Sequence, residues 1–497
     1  MSLAAPMHPT ARAAAGASSH WAVWTPPLAA LAVFALTLFA PQVLNDGDTW
    51  SHLATGDWIL AHGAVPSVDP FSFTMAGAPW SAHEWLAELL LALAFRAAGW
   101  SGVVLLTAAA AAAAVLILTR RVARNLEGPA LLATTLLGVS LLSPSLLARP
   151  HVLALPILAA WASGLMAARE ADRAPSLFLL PLMVLWANLH GGFAFGLALI
   201  APFAIEATLA APQSGRLAVI RDWSLFALPA VGAALLNPRG LEGLLFPVRL
   251  LGMAGLSNIG EWQPASFSHL EPLEVGLLGL LGLALVKPVR VPLVRLALLI
   301  GLAHLSLQHG RHQMLLGMIA PMLLAAPIAR AIGQEAAPAG ETNRYRQAIL
   351  TTAALAVALA AVRIAWPIVR VDGPTAPIAA LEAVPAAMRE RPVLNSYAFG
   401  GYLIWAHLRP FIDGRADMFG DEFLALYGRL TAPDPAALDD VLAHYAIAWT
   451  IFPRGAGVAA IMDREPGWRR LYADSFAVVH VRDDAPAQPA AGDHAGE

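Results

Sequence analysis

Asn45-Asp-Gly-Asp-Thr-Trp-Ser-His52 follows an apolar run from about Trp21 to Val43 and opens a stretch to Glu84 that holds five acidic residues and no Lys or Arg. The apolar run is too long for a signal-peptide core, and no small-residue cleavage site separates it from the acidic stretch. It therefore reads as an uncleaved first membrane span. A membrane-edge loop of a single charge sign (Asp46, Asp48, Asp57, Asp69, Glu84) is where carboxylates are kept for chemistry or for holding a cation, rather than a plain connector.

Composition extends that reading to the whole chain. Of 497 residues, 58% are hydrophobic types and 13% charged, against roughly 25% charged for an average soluble domain. The expected fold is an α-helical polytopic membrane protein. Cysteine is absent, which excludes disulfides and thiolate chemistry. Net charge is −3 and Lys287 is the one lysine, so no basic surface for nucleic acid is present.

After the loop, Trp85–Ala98 is apolar but carries Glu88 and Arg96. At about 1.5 Å per residue it reaches roughly 21 Å, short of a hydrocarbon core of about 30 Å, so it is expected to lie at the interface. Spans then follow near Trp100–Thr119, Ala130–Leu147, His151–Ala168, Leu177–Asn188, Phe193–Ala211, Leu225–Leu236, Leu273–Val286, Pro292–Leu307, Gln313–Ile328 and Ile349–Val369. With the first, these make about eleven. The transmembrane domain is thus 21–370, with 44–99 as its first outer loop, after a disordered tail at 1–20.

Basic residues fix the orientation. Alternate connections carry thirteen Lys and Arg, including Arg120, Arg121, Arg169, Arg173, Arg216, Arg221 and Lys287, whereas the other set carries five: Arg96, Arg149, Arg239, Arg249 and Arg311. The N-terminus is expected in the cytoplasm and everything after about Arg370 outside the inner membrane. That topology gathers Arg149-Pro-His151, Asn188-Leu-His190, Asn237-Pro-Arg239, Glu261-Trp262 and His309-Gly-Arg-His312 at outer span ends with Asp46 and Asp48. Ionisable groups at that depth normally line a cavity. Taken singly, each also reads as a cap or interfacial anchor.

From Val371 the pattern changes. Short β-like stretches, Pro392–Ser396, Arg409–Asp413, Ala448–Phe452 and Phe476–Val481, alternate with helical ones at Gly400–His407, Asp421–Leu430, Pro435–Tyr445 and Gly457–Arg464. The expectation is a small extracytoplasmic α/β domain over 371–482, then a disordered tail at 483–497. Asp413 and Arg415 fall where a strand would end, a usual position for ligand contacts, or else pair with each other to hold the turn.

The order of a first span, an acidic outer loop with interfacial helices, about eleven spans and an outer C-terminal domain resembles the C-type glycosyltransferase superfamily. Asp48-Thr-Trp-Ser-His-Leu-Ala-Thr-Gly-Asp-Trp58, Asp69-Pro-Phe-Ser-Phe-Thr74, Trp80-Ser-Ala-His-Glu-Trp-Leu86, Asn188-Leu-His-Gly-Gly-Phe193 and Phe411-Ile-Asp-Gly-Arg-Ala-Asp417 resemble a family of bacterial membrane proteins within it. The Tyr397-Ala-Phe-Gly-Gly-Tyr402 turn is weakly similar to an oligosaccharyltransferase acceptor turn, but it lacks that turn's paired Trp and Asp.

The resemblance implies transfer of a sugar from a polyprenyl-phosphate-linked donor to an envelope glycan, lipid or protein, with Asp48 or Asp46 as base. The residues suit an inverting displacement: a carboxylate takes the acceptor proton and guanidinium groups steady the leaving phosphate. Arg311 with His312 and Arg149 with His151 are the phosphate candidates. For the acceptor they are His52, Asp69, His83, Glu84, Asn188, His190, Asn237, Glu261, Asp413 and Arg415. A divalent cation, Mg or Mn, on Asp46, Asp48 and His52 is the metal alternative, although no His-Glu-x-x-His spacing occurs. A lipid-linked glycan ligase or polymerase, a transporter or flippase, and an envelope scaffold stay open. Against transport, no internal repeat is evident and the charges lie at one face instead of the midplane.

Overall fold

A computed structural model describes residues 9–334, 342–432 and 434–483. The chain is a multi-pass membrane protein with a small C-terminal sheet domain. Among the described residues eight helices are long and apolar enough to cross a membrane, and the three shorter apolar helices Leu177–Leu189, Pro272–Val286 and Leu293–Gln308 account for the remaining apolar stretches of the sequence. The chain divides into two compact units.

The first unit comprises Met1–Val43, Ala94–Arg249 and Ile259–Ile368. Its helices start where the sequence supplies proline in the first turn, as at Gly128–Leu142, Pro150–Glu170 and Pro272–Val286, because the missing N–H is unpaired there anyway. Gly138 on Gly128–Leu142 and Gly317 on Gln313–Ile332 let two backbones meet: a Cβ on either would lie 2.9 Å from the other's carbonyl oxygen. Such close approach at small residues is how helices associate in a bilayer, where burial offers little drive.

Two expectations for this unit change. The first helix runs Pro9–Phe39, so 9–20 is helical, while the terminal segments 1–8 and 484–497 lie outside the described residues. The span expected at Leu225–Leu236 belongs to a helix from Arg216 to Ala234. Arg216, Arg221 and Asp222 interrupt the apolar pattern without interrupting the helix.

The second unit comprises Leu44–Leu93, Leu250–Asn258 and Val369–Glu497. The first loop therefore groups with the C-terminal domain rather than with the spans. Asp48–His62 is a helix within this loop, and it packs on Tyr397–Trp405 almost backbone to backbone: a Cβ on Gly401 would collide with the Gly47 carbonyl. Trp85 begins the next helical run, and its regular backbone breaks at Ala98 (φ −149°) and Gly99 (φ 57°, ψ −146°). Only glycine adopts that second conformation cheaply, so the break falls where the short apolar stretch was expected to end.

The sheet has four strands, β1 Val393–Asn395, β2 Trp449–Pro453, β3 Trp468–Ala473 and β4 Ala477–Arg482, in the order β1-β2-β4-β3, with β1 parallel to β2 and the other pairs antiparallel. Val393, Phe399, Leu403, Trp449, Ile451 and Val479 fill its core. Arg409–Asp413 is not a strand. The side chain of buried Asn395 replaces a strand partner, accepting from Phe411 N–H and donating to Ile412 C=O, both at 2.8 Å.

Candidate functional site

Two clusters of ionisable residues stand out, one in each unit. In the second unit Asp48 is the first residue of its helix, where unpaired backbone N–H groups favour a carboxylate. Asp46 fixes that start by accepting the Asp48 N–H at 2.8 Å. The Asp48 carboxylate lies directly on Gly414, where a Cβ would overlap its Oδ1.

The segment carrying Gly414 is held by charge. Arg415 donates through Nε and Nη2 to Asp413 at 2.7 Å each and through Nη1 to Asp69 at 2.6 Å. Its guanidinium lies over the rings of both Trp80 (4.6 Å) and Phe71 (5.1 Å), which meet edge to face. Burial would ease its proton off, but Asp413 and Asp69 together hold it even more firmly than usual. Asp69 also accepts from the N–H groups of Phe71 and Ser72. Asp69, Asp413 and Arg415 are thus buried and bonded to one another. This corrects the strand-end placement of Asp413 and Arg415: they lock an irregular segment beneath Asp48 instead of facing out from a strand. Nearby Asp417 is pushed up to about 6 by burial, which outweighs the pull of Arg415.

His52 contacts Glu88 Oε1 through Nδ1 at 3.1 Å, and its Nε2 is 3.9 Å from Glu84, which also lies 3.8 Å from His83. Glu88 is 4% exposed, and its second oxygen has no hydrogen-bond partner among the described residues. For the divalent cation the donor set does not fit. Among the described residues no three His, Asp or Glu side chains come together as a metal ion requires, and His52 faces Glu88 and Glu84.

The first unit holds the second cluster. Arg149, just before Pro150–Glu170, and Arg311, just before Gln313–Ile332, both reach Glu261, with Arg149 Nη1 donating to Oε2 at 3.0 Å and Arg311 Nη1 to Oε1 at 2.8 Å. Burial would raise the Glu261 carboxyl, but the two guanidiniums bring it down to about 2. Arg311 also lies over the Trp262 ring at 4.4 Å. A cavity of about 380 Å³ opens here, lined by His151, Glu261, Gln263, Arg311 and Gln313 among others.

The remaining candidates frame this cluster. His151 donates from Nε2 to Ser145 C=O at 2.6 Å and meets the His190 ring at 6.1 Å, while His190 Nδ1 accepts the Gly192 N–H at 2.9 Å. His309 donates to Trp262 C=O at 2.7 Å, and His312 stacks edgewise on His309 and Trp262. Asn188 and Asn237 serve as end caps: Asn188 donates to Val184 and Leu236 carbonyls, and Asn237 accepts Arg239 N–H. Sequence reasoning placed Arg149 and Arg311 as separate phosphate ligands and did not foresee Glu261 as their shared partner. It quoted Gly414 and Asp417 within the Phe411–Asp417 motif but gave neither a role. Glu88 was visible as a lone carboxylate on an apolar stretch.

No protein-family model matches the sequence, and no curated protein matches it either. Solved structures do. The oligosaccharyltransferase AglB of Archaeoglobus fulgidus, in complex with an inhibitory peptide and a dolichol-phosphate, aligns over 86% of this chain and 69% of its own with a TM-score of 0.56 and 12% identity. The apo form of the Archaeoglobus fulgidus oligosaccharyltransferase gives 0.52 at 14% identity, over 87% and 70% of the two chains. ArnT from Cupriavidus metallidurans, bound to undecaprenyl phosphate, gives 0.51 at 15% identity, over 95% of this chain and 100% of its own. This chain shares the polytopic fold of AglB and ArnT.

Proposed function

We propose that the protein is a membrane glycosyltransferase that moves a sugar from a polyprenyl-phosphate-linked donor to an envelope glycan, lipid or protein at the outer face of the cytoplasmic membrane. The observation that carries this reading is the meeting of Arg149 and Arg311 on one carboxylate beside a cavity. Two guanidiniums on one carboxylate leave a positive charge over at these span ends, which suits a further anion. The shared fold supports it, since the solved AglB and ArnT structures contain dolichol-phosphate and undecaprenyl phosphate.

In this reading the donor phosphate takes up the guanidinium hydrogen bonds that Glu261 otherwise occupies, and Glu261 keeps the pair aligned when the donor is away. Asp48 accepts the acceptor hydroxyl proton as the oxygen forms its bond to the anomeric carbon. The bond from that carbon to the phosphate oxygen breaks, and its electrons leave with the polyprenyl phosphate, whose added charge the arginines offset. One displacement inverts the anomeric centre. Asp69, Asp413 and Arg415 act as positioning residues for the Gly414 segment against which Asp48 rests.

The test compares lipid-linked sugars and envelope glycans in cells with the wild-type protein, a deletion, Asp48→Asn, and Arg149→Gln combined with Arg311→Gln, at matched membrane levels. One polyprenyl-linked sugar should accumulate, and one envelope modification disappear, in all three mutant strains. Losing the base should slow transfer by about 10²–10⁴-fold. Wild-type behaviour of Asp48→Asn beside a deletion phenotype would remove the base mechanism and favour transport or scaffolding.

A further inference from the structure

Helix Pro150–Glu170 has Arg149 at one end and Arg169 at the other, about 30 Å away at 1.5 Å per residue. A second cavity of about 380 Å³ lies at the Arg169 end. Its walls include Arg169, Asp172, Arg173, Asp222 and Trp223. Trp223 is shared with a further cavity of about 450 Å³, lined by Ile200, Ala204, Ile220, Ala227 and Val231 among others. The second space is apolar, and one of its few hydroxyls, Thr208, is already bonded to Ala204 C=O at 2.8 Å. A charged recess and an apolar groove between Ile200–Ala210 and Arg216–Ala234 thus lie side by side with Trp223 as their shared wall.

Charge decides what fits the recess. Arg169 donates to Asp172 at 2.6 Å and lies 3.3 Å from Glu206, which is engaged by Arg295 at 2.8 and 3.1 Å. Asp222 is paired with Arg221. Arg173 has no carboxylate partner among the described residues and is exposed. The recess is left with an uncompensated guanidinium beside a second one, which suits a phosphodiester monoanion. A soluble anion would leave the groove unfilled, whereas an amphiphile uses both spaces.

We propose that this recess and groove bind one anionic glycerophospholipid, its headgroup phosphate on Arg169 and Arg173 and an acyl chain past Trp223 along the groove. The site is distinct from the Glu261 cluster and does not depend on the reaction assigned there. It sits at the Arg-rich span ends, which the basic-residue distribution assigns to the cytoplasmic leaflet, where anionic headgroups are attracted by each nearby Lys or Arg.

The test is native mass spectrometry of the full-length protein in mild detergent, after delipidation, titrated with phosphatidylglycerol, phosphatidylethanolamine or undecaprenyl phosphate. Phosphatidylglycerol should bind at one per chain and more tightly than the other two. Arg173→Gln should weaken it by about fivefold, and Arg173→Lys should restore it. Ala204→Phe, which fills the groove, should lower binding of all diacyl lipids while the thermal midpoint stays at the wild-type value. Arg149→Gln should leave phosphatidylglycerol binding unchanged. Equal binding of phosphatidylethanolamine, tighter binding of undecaprenyl phosphate, or the same affinity in wild type, Arg173→Gln and Ala204→Phe would each overturn the proposal.

Discussion

At position 414 the side chain has to be a hydrogen, because a Cβ there would occupy the space of the Asp48 carboxylate. The backbone conformation is not the reason, since Gly414 is not among the residues with positive φ. Gly414→Ala is therefore expected to push Asp48 aside while leaving the Arg415 lock and the sheet in place. In the cellular assay its defect should match Asp48→Asn, roughly 10²-fold or more, with normal membrane level and thermal midpoint. An active Gly414→Ala protein would mean that the placement of Asp48 does not matter to turnover. Single residues of this kind were only half legible. Asp46, Asp48 and the arginines announce themselves as charges near apolar spans, and their types set the candidate chemistry. Which charges neutralise one another depends on residues far apart in the chain, such as Asp69 with Arg415 or Glu261 with Arg149 and Arg311, and no local pattern encodes that.

Among the elements, helices with a long apolar run were legible because length and hydropathy alone select them. Where the bounds or the type of an element were not legible, the causes are specific. Asp48–His62 looks polar because its buried face includes Thr49, Ser51, Thr55 and Gly56, small residues that let backbones approach. Strand β3 was missed because Trp468–Ala473 is a half-exposed edge carrying two arginines. Arg409–Asp413 has the composition of a strand, but Asn395 supplies its hydrogen bonds through a side chain. That substitution of side chain for strand makes Asn395 a weak point of the C-terminal domain. Asn395→Leu would bury Phe411 N–H and Ile412 C=O without partners, at about 1–3 kcal/mol for each group. Thermal unfolding of the purified full-length protein, followed by tryptophan fluorescence, should show a midpoint lowered by several degrees. An unchanged midpoint would mean that water or another group takes over both bonds.

For the whole molecule the assigned orientation rests on the asymmetry of Lys and Arg between alternate connections, together with the break at Ala98 and Gly99 that keeps Trp85–Ala98 from counting as a separate span. If that short stretch crossed the membrane by itself, the parity of every later connection would invert, and the acidic loop and the C-terminal domain could not share one side. Their packing in one compact unit, through Asp48–His62 on Tyr397–Trp405 and Arg415 on Asp69, requires that they do. The chain itself offers a direct check, because it has no cysteine to give background. Arg454 on the C-terminal domain and Lys287 between two apolar helices are both exposed. In intact spheroplasts a membrane-impermeant maleimide should label Arg454→Cys and not Lys287→Cys, and permeabilisation should make both reactive. Labelling of Lys287→Cys alone before permeabilisation would invert the topology and put the proposed transfer on the cytoplasmic face. Labelling of both would mean that an even number of crossings between them has been miscounted as odd.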